Sequence, residues 1–96
     1  MPENYEKTIT LAGDLHARPA GQLAVAAAQF ASAVQVVAGG GAGADAKQAD
    51  AKSVLAVMQL GASSGQQVTV RAAGPDAEKA VEALIAILAA VSKVGE

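Results

Sequence analysis

The stretch QQVTVRAAGPDAEKAVEALIAIL, residues 66–88, changes the period of its apolar residues halfway along. In its first part, apolar and polar residues alternate up to Ala72, the pattern of a strand with one buried face. In its second part the spacing is helical, and Asp76 stands where a helix N-cap is expected. The stretch therefore predicts a strand over 66–72 and an amphipathic helix over 77–92. The stripe expected to be buried on this helix comprises Val81, Leu84, Ile85 and Leu88.

The residues before this stretch carry the same two periods. Tyr5, Lys7, Ile9 and Leu11 share one face of an alternating segment, and a long alanine-rich segment after it has helical spacing and high helix propensity. A glycine-rich loop follows the second strand, and Ser53 opens a short apolar helix that Gly61 closes. The elements predicted here are a strand over 5–11, a helix over 17–32, a strand over 34–38, a weak edge strand or none over 46–51, and a helix over 54–60.

This order of elements predicts an α+β fold. Each strand has one apolar face and each longer helix is amphipathic, which favours one mainly antiparallel four-stranded sheet with three helices packed on one face. The other face is expected to meet water. With 96 residues, of which 52% are hydrophobic and 17% charged, the chain is expected to form a single domain over residues 1–96.

Composition excludes several classes of function. Aromatic residues make up 2% of the chain, the net charge is −2 and basic residues do not cluster, so nucleic acid is not an expected partner. The chain has no cysteine, and therefore no disulfide or thiolate chemistry. No apolar run is long enough to span a membrane, and the polar N-terminal residues lack the apolar core of a signal peptide. We expect a soluble, cytoplasmic monomer.

The only histidine, His16, lies in GDLHARPAG, residues 13–21, at the predicted start of the first helix. The field of a helix N-terminus binds anions and lowers the pKa of an adjacent imidazole, which leaves a neutral nucleophile. Arg18 adds a cation suited to phosphate oxygens. The site therefore suits a phosphoryl group on His16, although a surface histidine or a modest cap explains the same spacing. A metal site is not expected, because no second histidine or cysteine is present.

Three blocks in order resemble the HPr family, the histidine phosphocarriers of the bacterial phosphoenolpyruvate:sugar phosphotransferase system. They are LHARPA (15–20), AKSVLAVMQLG (51–61) and GQQVTVRAAGPDAEKAVEAL (65–84). The resemblance implies an open-faced β-sandwich in which His16 accepts a phosphoryl group on Nδ1 from phosphorylated enzyme I and passes it to the EIIA domain of a sugar permease. It also implies that Arg18 is the site arginine and that the N–H groups of Ala17 and Arg18 bind the phosphate. Such a carrier is not an enzyme and needs no metal or cofactor.

The second block suggests regulation and docking. Ser53 is explained by a helix N-cap alone, whereas the resemblance implies a regulatory serine that a dedicated kinase and phosphatase would act on. The resemblance also implies that partners dock on the short helix, although side chains there that simply fill the core are an equal alternative. The expected docking residues are Val54, Leu55, Met58 and Gln59.

Two features depart from the family pattern. Asp14 stands where the family often has glycine, and residues 39–51 look longer and richer in glycine and alanine than the usual hairpin. Asp14 brings a negative charge near the phosphate and is expected to weaken the phosphorylated state slightly or to pair with Arg18. Two other functions stay open: a phosphorelay of the nitrogen-related or dihydroxyacetone-kinase type, and a regulatory binder controlled by phosphorylation of Ser53.

Overall fold

Three helices and four strands make up the part of the chain that the computed structural model describes, which is residues 3–11, 13, 17–39, 46–60 and 65–90. The elements are, in chain order, β1 (Glu3–Thr10), α1 (Ala17–Ala28), β2 (Ala33–Gly39), β3 (Ala46–Asp50), α2 (Val54–Gln59), β4 (Gln67–Gly74) and α3 (Ala77–Ala89). All seven predicted elements are therefore present. Residues 40–45, Gly61 and Ser92, on which parts of the prediction fall, lie outside the described residues.

The four strands form one sheet in the order β1-β4-β2-β3. All three pairings are antiparallel, as predicted. β4 lies between β1 and β2 and pairs with β1 along its whole length, from Glu3 opposite Gly74 to Thr10 opposite Gln67. β3 pairs with β2 as a short edge strand, which confirms the expectation of a weak strand there.

One face of the sheet carries the core, and the helices cover it. Val36, Val68 and Val70 point to this side and are fully buried, together with Leu23 of α1 and Leu84 of α3. Between these positions, polar side chains of β1 and β4 such as Thr8 and Arg71 are exposed or half-buried on the open face. The two-layer α+β arrangement is confirmed. On α3 the buried stripe comprises Val81, Leu84 and Leu88, while Ile85 is half-buried.

Lys7 shows how the inward face of β1 meets α3. It shares that face with Tyr5, as the alternation predicted, and both side chains reach Glu82 of α3. Lys7 Nζ lies 2.6 Å from Glu82 Oε2 and Tyr5 Oη donates to the same oxygen at 3.0 Å. The carboxylate thus joins the edge of the sheet to the helix layer, and its bond with Lys7 lowers the pKa of Glu82.

Asp76 is the N-cap residue of α3, as predicted, but its side chain does not cap the helix, and the predicted end of α1 at residue 32 is wrong. Asp76 makes no side-chain cap bond to α3. Its carboxylate instead accepts bonds from the backbone N–H groups of Ala31 and Ser32, at 2.9 Å each, and from Ser32 Oγ at 2.5 Å. Ser32 Oγ in turn accepts from the N–H of Asp76 at 3.2 Å. We call these contacts the Ser32–Asp76 clasp. They hold residues 31 and 32 in a turn, and α1 ends at Ala28.

The Ser32–Asp76 clasp should lose its stabilising effect on the fold in acid. Bonds from Ser32 and Ala31 hold the pKa of Asp76 below its ordinary value of 3.8. A carboxyl group whose pKa is lower in the folded state stabilises the fold at pH values above its unfolded-state pKa. That contribution is lost as the pH falls through the folded-state pKa. Urea denaturation between pH 7 and pH 2.5 should therefore show a weaker acid-induced decline in Asp76→Asn than in the wild type.

The matched control for this experiment is Glu78→Gln, which removes the same charge from the first turn of α3 but leaves the clasp in place. The decline will not vanish in Asp76→Asn, because Glu82 also has a lowered pKa. Equal declines in the wild type and Asp76→Asn would contradict this account of the clasp.

Candidate functional site

The start of α1 is the predicted phosphate-binding element. The helix begins at Ala17, and Arg18 is exposed in its first turn. Pro19 is buried there, where its missing N–H has no intrahelical acceptor to lose. Among the described side chains, no carboxylate forms an ion pair with Arg18. His16 and Asp14 lie outside the described residues, so their roles stay predictions.

The N-cap predicted for Ser53 is confirmed. Its Oγ accepts a hydrogen bond from the N–H of Ala56 at 3.2 Å, and its carbonyl accepts from Val57 at 3.1 Å. Asp50 holds the turn before it, because its carbonyl accepts from the N–H of Ser53 and its carboxylate from the N–H of Lys52, both at 2.9 Å. The local bonds thus fix the direction in which α2 leaves the sheet.

Removing this cap should have a measurable cost. Ser53→Ala is expected to lower the free energy of unfolding by about 1 kcal/mol, since the N–H of Ala56 loses its acceptor. Ser53→Asp retains an acceptor at the same position and should restore most of the loss. Thermal and urea denaturation of the two variants provide the measurement, and equal losses in both would argue against capping by Ser53.

The exposed side of α2 is mainly apolar, and Gln59 is its polar member. Val57 is buried and anchors the helix, and Leu60 after it is also buried. The alternative that the predicted docking residues fill the core is therefore wrong, and their role as partner contacts stays a prediction. The four exposed side chains are Val54, Leu55, Met58 and Gln59.

Sequence reasoning missed an exposed valine on α1. Val25 is 67% exposed, and it lies on the side of the helix that carries Arg18 and Gln22. The sequence did contain a signal for this exposure. Helical spacing from Arg18 places Val25 on the polar side of α1. α1 packs against α2. Exposed apolar side chains therefore occur on both helices, Val25 on α1 and Val54, Leu55 and Met58 on α2.

A groove on the open face of the sheet lies away from these helices. It has a volume of about 550 Å³, and Arg71 Nε donates there to Glu6 Oε1 at 3.1 Å. Both side chains are about half exposed, so water screens the pair and it adds little to stability. Lining residues of the groove include Asn4, Glu6, Ala33, Gln35, Arg71 and Ala73.

The described part of the chain contains neither a candidate membrane-spanning helix nor a candidate metal-binding cluster. None of its helices is long and apolar enough to cross a membrane. Its acidic residues form no group of three that could hold a metal ion.

Comparison with known proteins points to one family. A family model described as the PTS HPr component phosphorylation site matches residues 5–90. The phosphocarrier protein HPr of Cupriavidus necator is 40% identical over 75 residues, which are 78% of this chain and 78% of that protein. The multiphosphoryl transfer protein of Xanthomonas campestris pv. campestris is 40% identical over 88 residues, or 92% of this chain. The chain spans only 10% of that longer protein.

Solved structures extend the match from sequence to fold. The crystal structure of the phosphocarrier protein HPr of Bacillus anthracis superposes with a TM-score of 0.76 at 30% identity, covering 88% of this chain and 96% of the other. The open-faced sandwich that the sequence blocks implied is therefore confirmed. Because the family model spans nearly all of the chain, the chain belongs to the HPr family, the phosphocarrier proteins of the phosphotransferase system.

Proposed function

We propose that this chain carries a phosphoryl group on His16, which it accepts from phosphorylated enzyme I and passes to the EIIA domain of a sugar permease. The family match over residues 5–90 carries the proposal, since it includes the LHARPA block that leads into α1. The chain acts as a consumed and regenerated co-substrate. Its relay operates in the cytoplasm, because the donor pathway starts from phosphoenolpyruvate, a metabolite of that compartment.

The chemistry needs only groups at the start of α1. The Nδ1 lone pair of His16 attacks phosphorus, the nitrogen–phosphorus bond forms, and the bond to the donor breaks. Ala17 and Arg18 lie in the first turn, where N–H groups have no intrahelical acceptor and can bind phosphoryl oxygens. The Arg18 guanidinium adds a permanent positive charge. In the second step a nucleophile of EIIA attacks the same phosphorus, and His16 leaves as a neutral imidazole.

A phosphorylation assay tests the proposal. The chain is mixed with phosphoenolpyruvate and the enzyme I encoded by the same genome, and intact mass is recorded. We expect one added phosphoryl group that is labile in acid and stable in alkali. His16→Ala should lose it completely, while Ser53→Ala, as a matched control, should retain it. Absence of the adduct in the wild type, or its persistence in His16→Ala, would refute the carrier function.

Onward transfer distinguishes the alternative outlets. Sugar EIIA domains, nitrogen-related EIIA proteins and dihydroxyacetone-kinase subunits are offered to the phosphorylated chain in parallel. We expect transfer to a sugar EIIA. Transfer only to one of the other acceptors would reassign the pathway without altering the chemistry at His16.

Regulation at Ser53 is the second candidate. As the N-cap, Ser53 has its hydroxyl at the N-terminal end of α2, next in sequence to the exposed Val54 and Leu55. We propose these two residues, with Met58 and Gln59, as docking contacts. A phosphate on Ser53 would put negative charge on this apolar surface and hinder enzyme I. Incubation with a serine kinase from the same organism, followed by the enzyme I assay, tests it. Unchanged transfer to the Ser53-phosphorylated chain would exclude this control.

A further inference from the structure

A row of polar side chains crosses the open face of the sheet and forms one wall of the groove there. In the strand register, Glu6 of β1 lies opposite Arg71 of β4, and Arg71 lies opposite Gln35 of β2. All three side chains are exposed and line the groove. Neighbouring strands are about 4.8 Å apart, so a carboxylate, a guanidinium and an amide lie side by side along this wall.

The floor beside this wall is apolar. Two residues further along the strands, Ala73 of β4 lies between Asn4 of β1 and Ala33 of β2. Both alanines are exposed and line the groove, which has a volume of about 550 Å³. Their short side chains leave a recess next to the longer side chains of the wall. An apolar group of a few carbon atoms can lie on the two methyl groups while the rest of a ligand reaches the charged wall.

The Glu6–Arg71 pair engages only part of what the two side chains can bind. Arg71 Nε donates to Glu6 Oε1, whereas a guanidinium has four further N–H groups and a carboxylate has a second oxygen. The side chains of Arg71 and Glu6 are 49% and 57% exposed, and no other described residue forms an ion pair with either. Because water screens the pair, exchanging part of it for contacts with a ligand costs little.

The adjacent opposite charges select a zwitterion. An anion on Arg71 would meet the Glu6 carboxylate beside it, and a cation on Glu6 would meet the guanidinium, so repulsion offsets attraction for either. An α-amino acid carries its ammonium and carboxylate groups on one carbon atom. It can present the carboxylate to Arg71 and the ammonium to Glu6 at the same time, with the Gln35 amide as a further hydrogen-bond partner.

We propose that the groove binds a free α-amino acid with an apolar side chain, through the Glu6–Arg71 pair for its charges and the two alanines of the floor for its side chain. Since the charges are exposed to water and the ligand is small, the dissociation constant should be about 1 to 10 mM. The inference goes beyond phosphoryl transfer. The groove lies on the face of the sheet opposite the helices, so a bound amino acid leaves the start of α1 accessible.

The test is a titration of the isotope-labelled full chain with L-leucine at pH 7, in which the backbone amide chemical shifts are recorded by NMR. Saturable shifts are expected at Glu6, Arg71 and Ala73, while the amides of α2 should stay unchanged. N-acetyl-leucine, which lacks the ammonium group, and leucinamide, which lacks the carboxylate, should each bind at least about fivefold more weakly. Glycine, which lacks the apolar side chain, should also bind more weakly than leucine.

Two substitutions separate the charges from the recess. Arg71→Gln removes the partner of the ligand carboxylate, and Ala73→Leu keeps both charges but fills the floor. Each should weaken leucine binding at least about fivefold. The matched control is Lys79→Gln, which removes the same positive charge from an exposed position of α3 and should bind leucine as the wild type does. All three positions are exposed, so the variants should fold, and thermal denaturation checks this.

Several results would overturn the proposal. One is the absence of saturable shifts at about 50 mM L-leucine, well above the expected dissociation constant. Equal affinities for leucine, N-acetyl-leucine and leucinamide would show that the pair does not select a zwitterion. Saturable shifts confined to the helices would place the bound amino acid outside the groove. Equal binding by Arg71→Gln and Lys79→Gln would show that the guanidinium in the groove does not contact the ligand.

Discussion

Gly74→Ala is expected to lower the free energy of unfolding by about 3 kcal/mol or more, because strain and overpacking act together. Gly74 has a φ of +148°, a backbone conformation that residues other than glycine rarely adopt. A Cβ atom there would lie 2.5 Å from Ser32 Oγ and 2.7 Å from Ser32 Cα. The second of these atoms is backbone, so a change of rotamer cannot relieve the contact. Ser32 is itself held by the Ser32–Asp76 clasp.

Substitutions at two other glycines distinguish the contribution of backbone strain from that of the close contact with Ser32. Gly65 has φ of +86°, but nothing lies within 4 Å of the position that a Cβ atom would take, so Gly65→Ala should cost only the conformational term, about 1 to 2 kcal/mol. Gly21 lies within α1 with nothing within 4 Å, and Gly21→Ala should stabilise the protein by about 0.5 to 1 kcal/mol. Urea denaturation at pH 7 gives all three values. A loss in Gly74→Ala no larger than in Gly65→Ala would contradict the close approach to Ser32.

Leu84→Ala is expected to lower the free energy of unfolding by about 2 to 5 kcal/mol. Leu84 is fully buried in α3, within a core of leucine, valine and alanine that contains no fully buried aromatic side chain among the described residues. Most of the other core side chains are valine, which is stiff at χ1, or alanine, which has no χ angle, so few of them can move into the space that leucine leaves. The cavity should therefore persist, and the loss should lie towards the upper end of the range.

The matched control is Leu55→Ala, the same substitution at a side chain that is 66% exposed on α2. It should change stability by less than about 0.5 kcal/mol. Chemical denaturation of both variants, with the denaturant slope compared, provides the measurement. Similar values for the two would mean that Leu84 is not part of a packed core.

The periods of the sequence predicted which segments form strands and helices. Alternation located β1 and β4, and the apolar stripe located α3, because burial on one face imposes these periods directly. The strand ends were less predictable. β4 continues two residues beyond Ala72 to Gly74, since backbone pairing with β1 and β2 continues there without needing apolar side chains.

The order of the strands and the end of α1 could not be predicted from the local sequence pattern. Residues 29–31 have the composition of a helix, yet the turn forms because Ala31 and Ser32 bind the Asp76 carboxylate, some 44 residues away. The same bonds explain why the side chain of Asp76 makes no cap bond to α3. A local propensity of a few tenths of a kcal/mol per residue is outweighed by such tertiary contacts.

The candidate site was only partly predictable. Ser53 follows a local capping rule, so its role in α2 could be deduced from neighbouring residues. The exposure of Leu55 and Met58 could not be deduced, because in a helix of six residues with Gln59 as the only polar side chain no period separates the buried side from the exposed side. Val25 was obscured in the same way by the alanines around it on α1.

The central position of β4 has a consequence for synthesis of the protein. β1 and β2 are made first, but each is hydrogen-bonded to β4 and neither to the other. A ribosome that has translated only the first 66 residues therefore holds two strands whose common partner does not yet exist. Closing contacts over such separations is slow; in the meantime β1 has no partner and β2 has only β3, so both strands expose apolar side chains. The complete sheet can form only after β4 has left the ribosome, and we expect a chain stalled before residue 74 to bind chaperones.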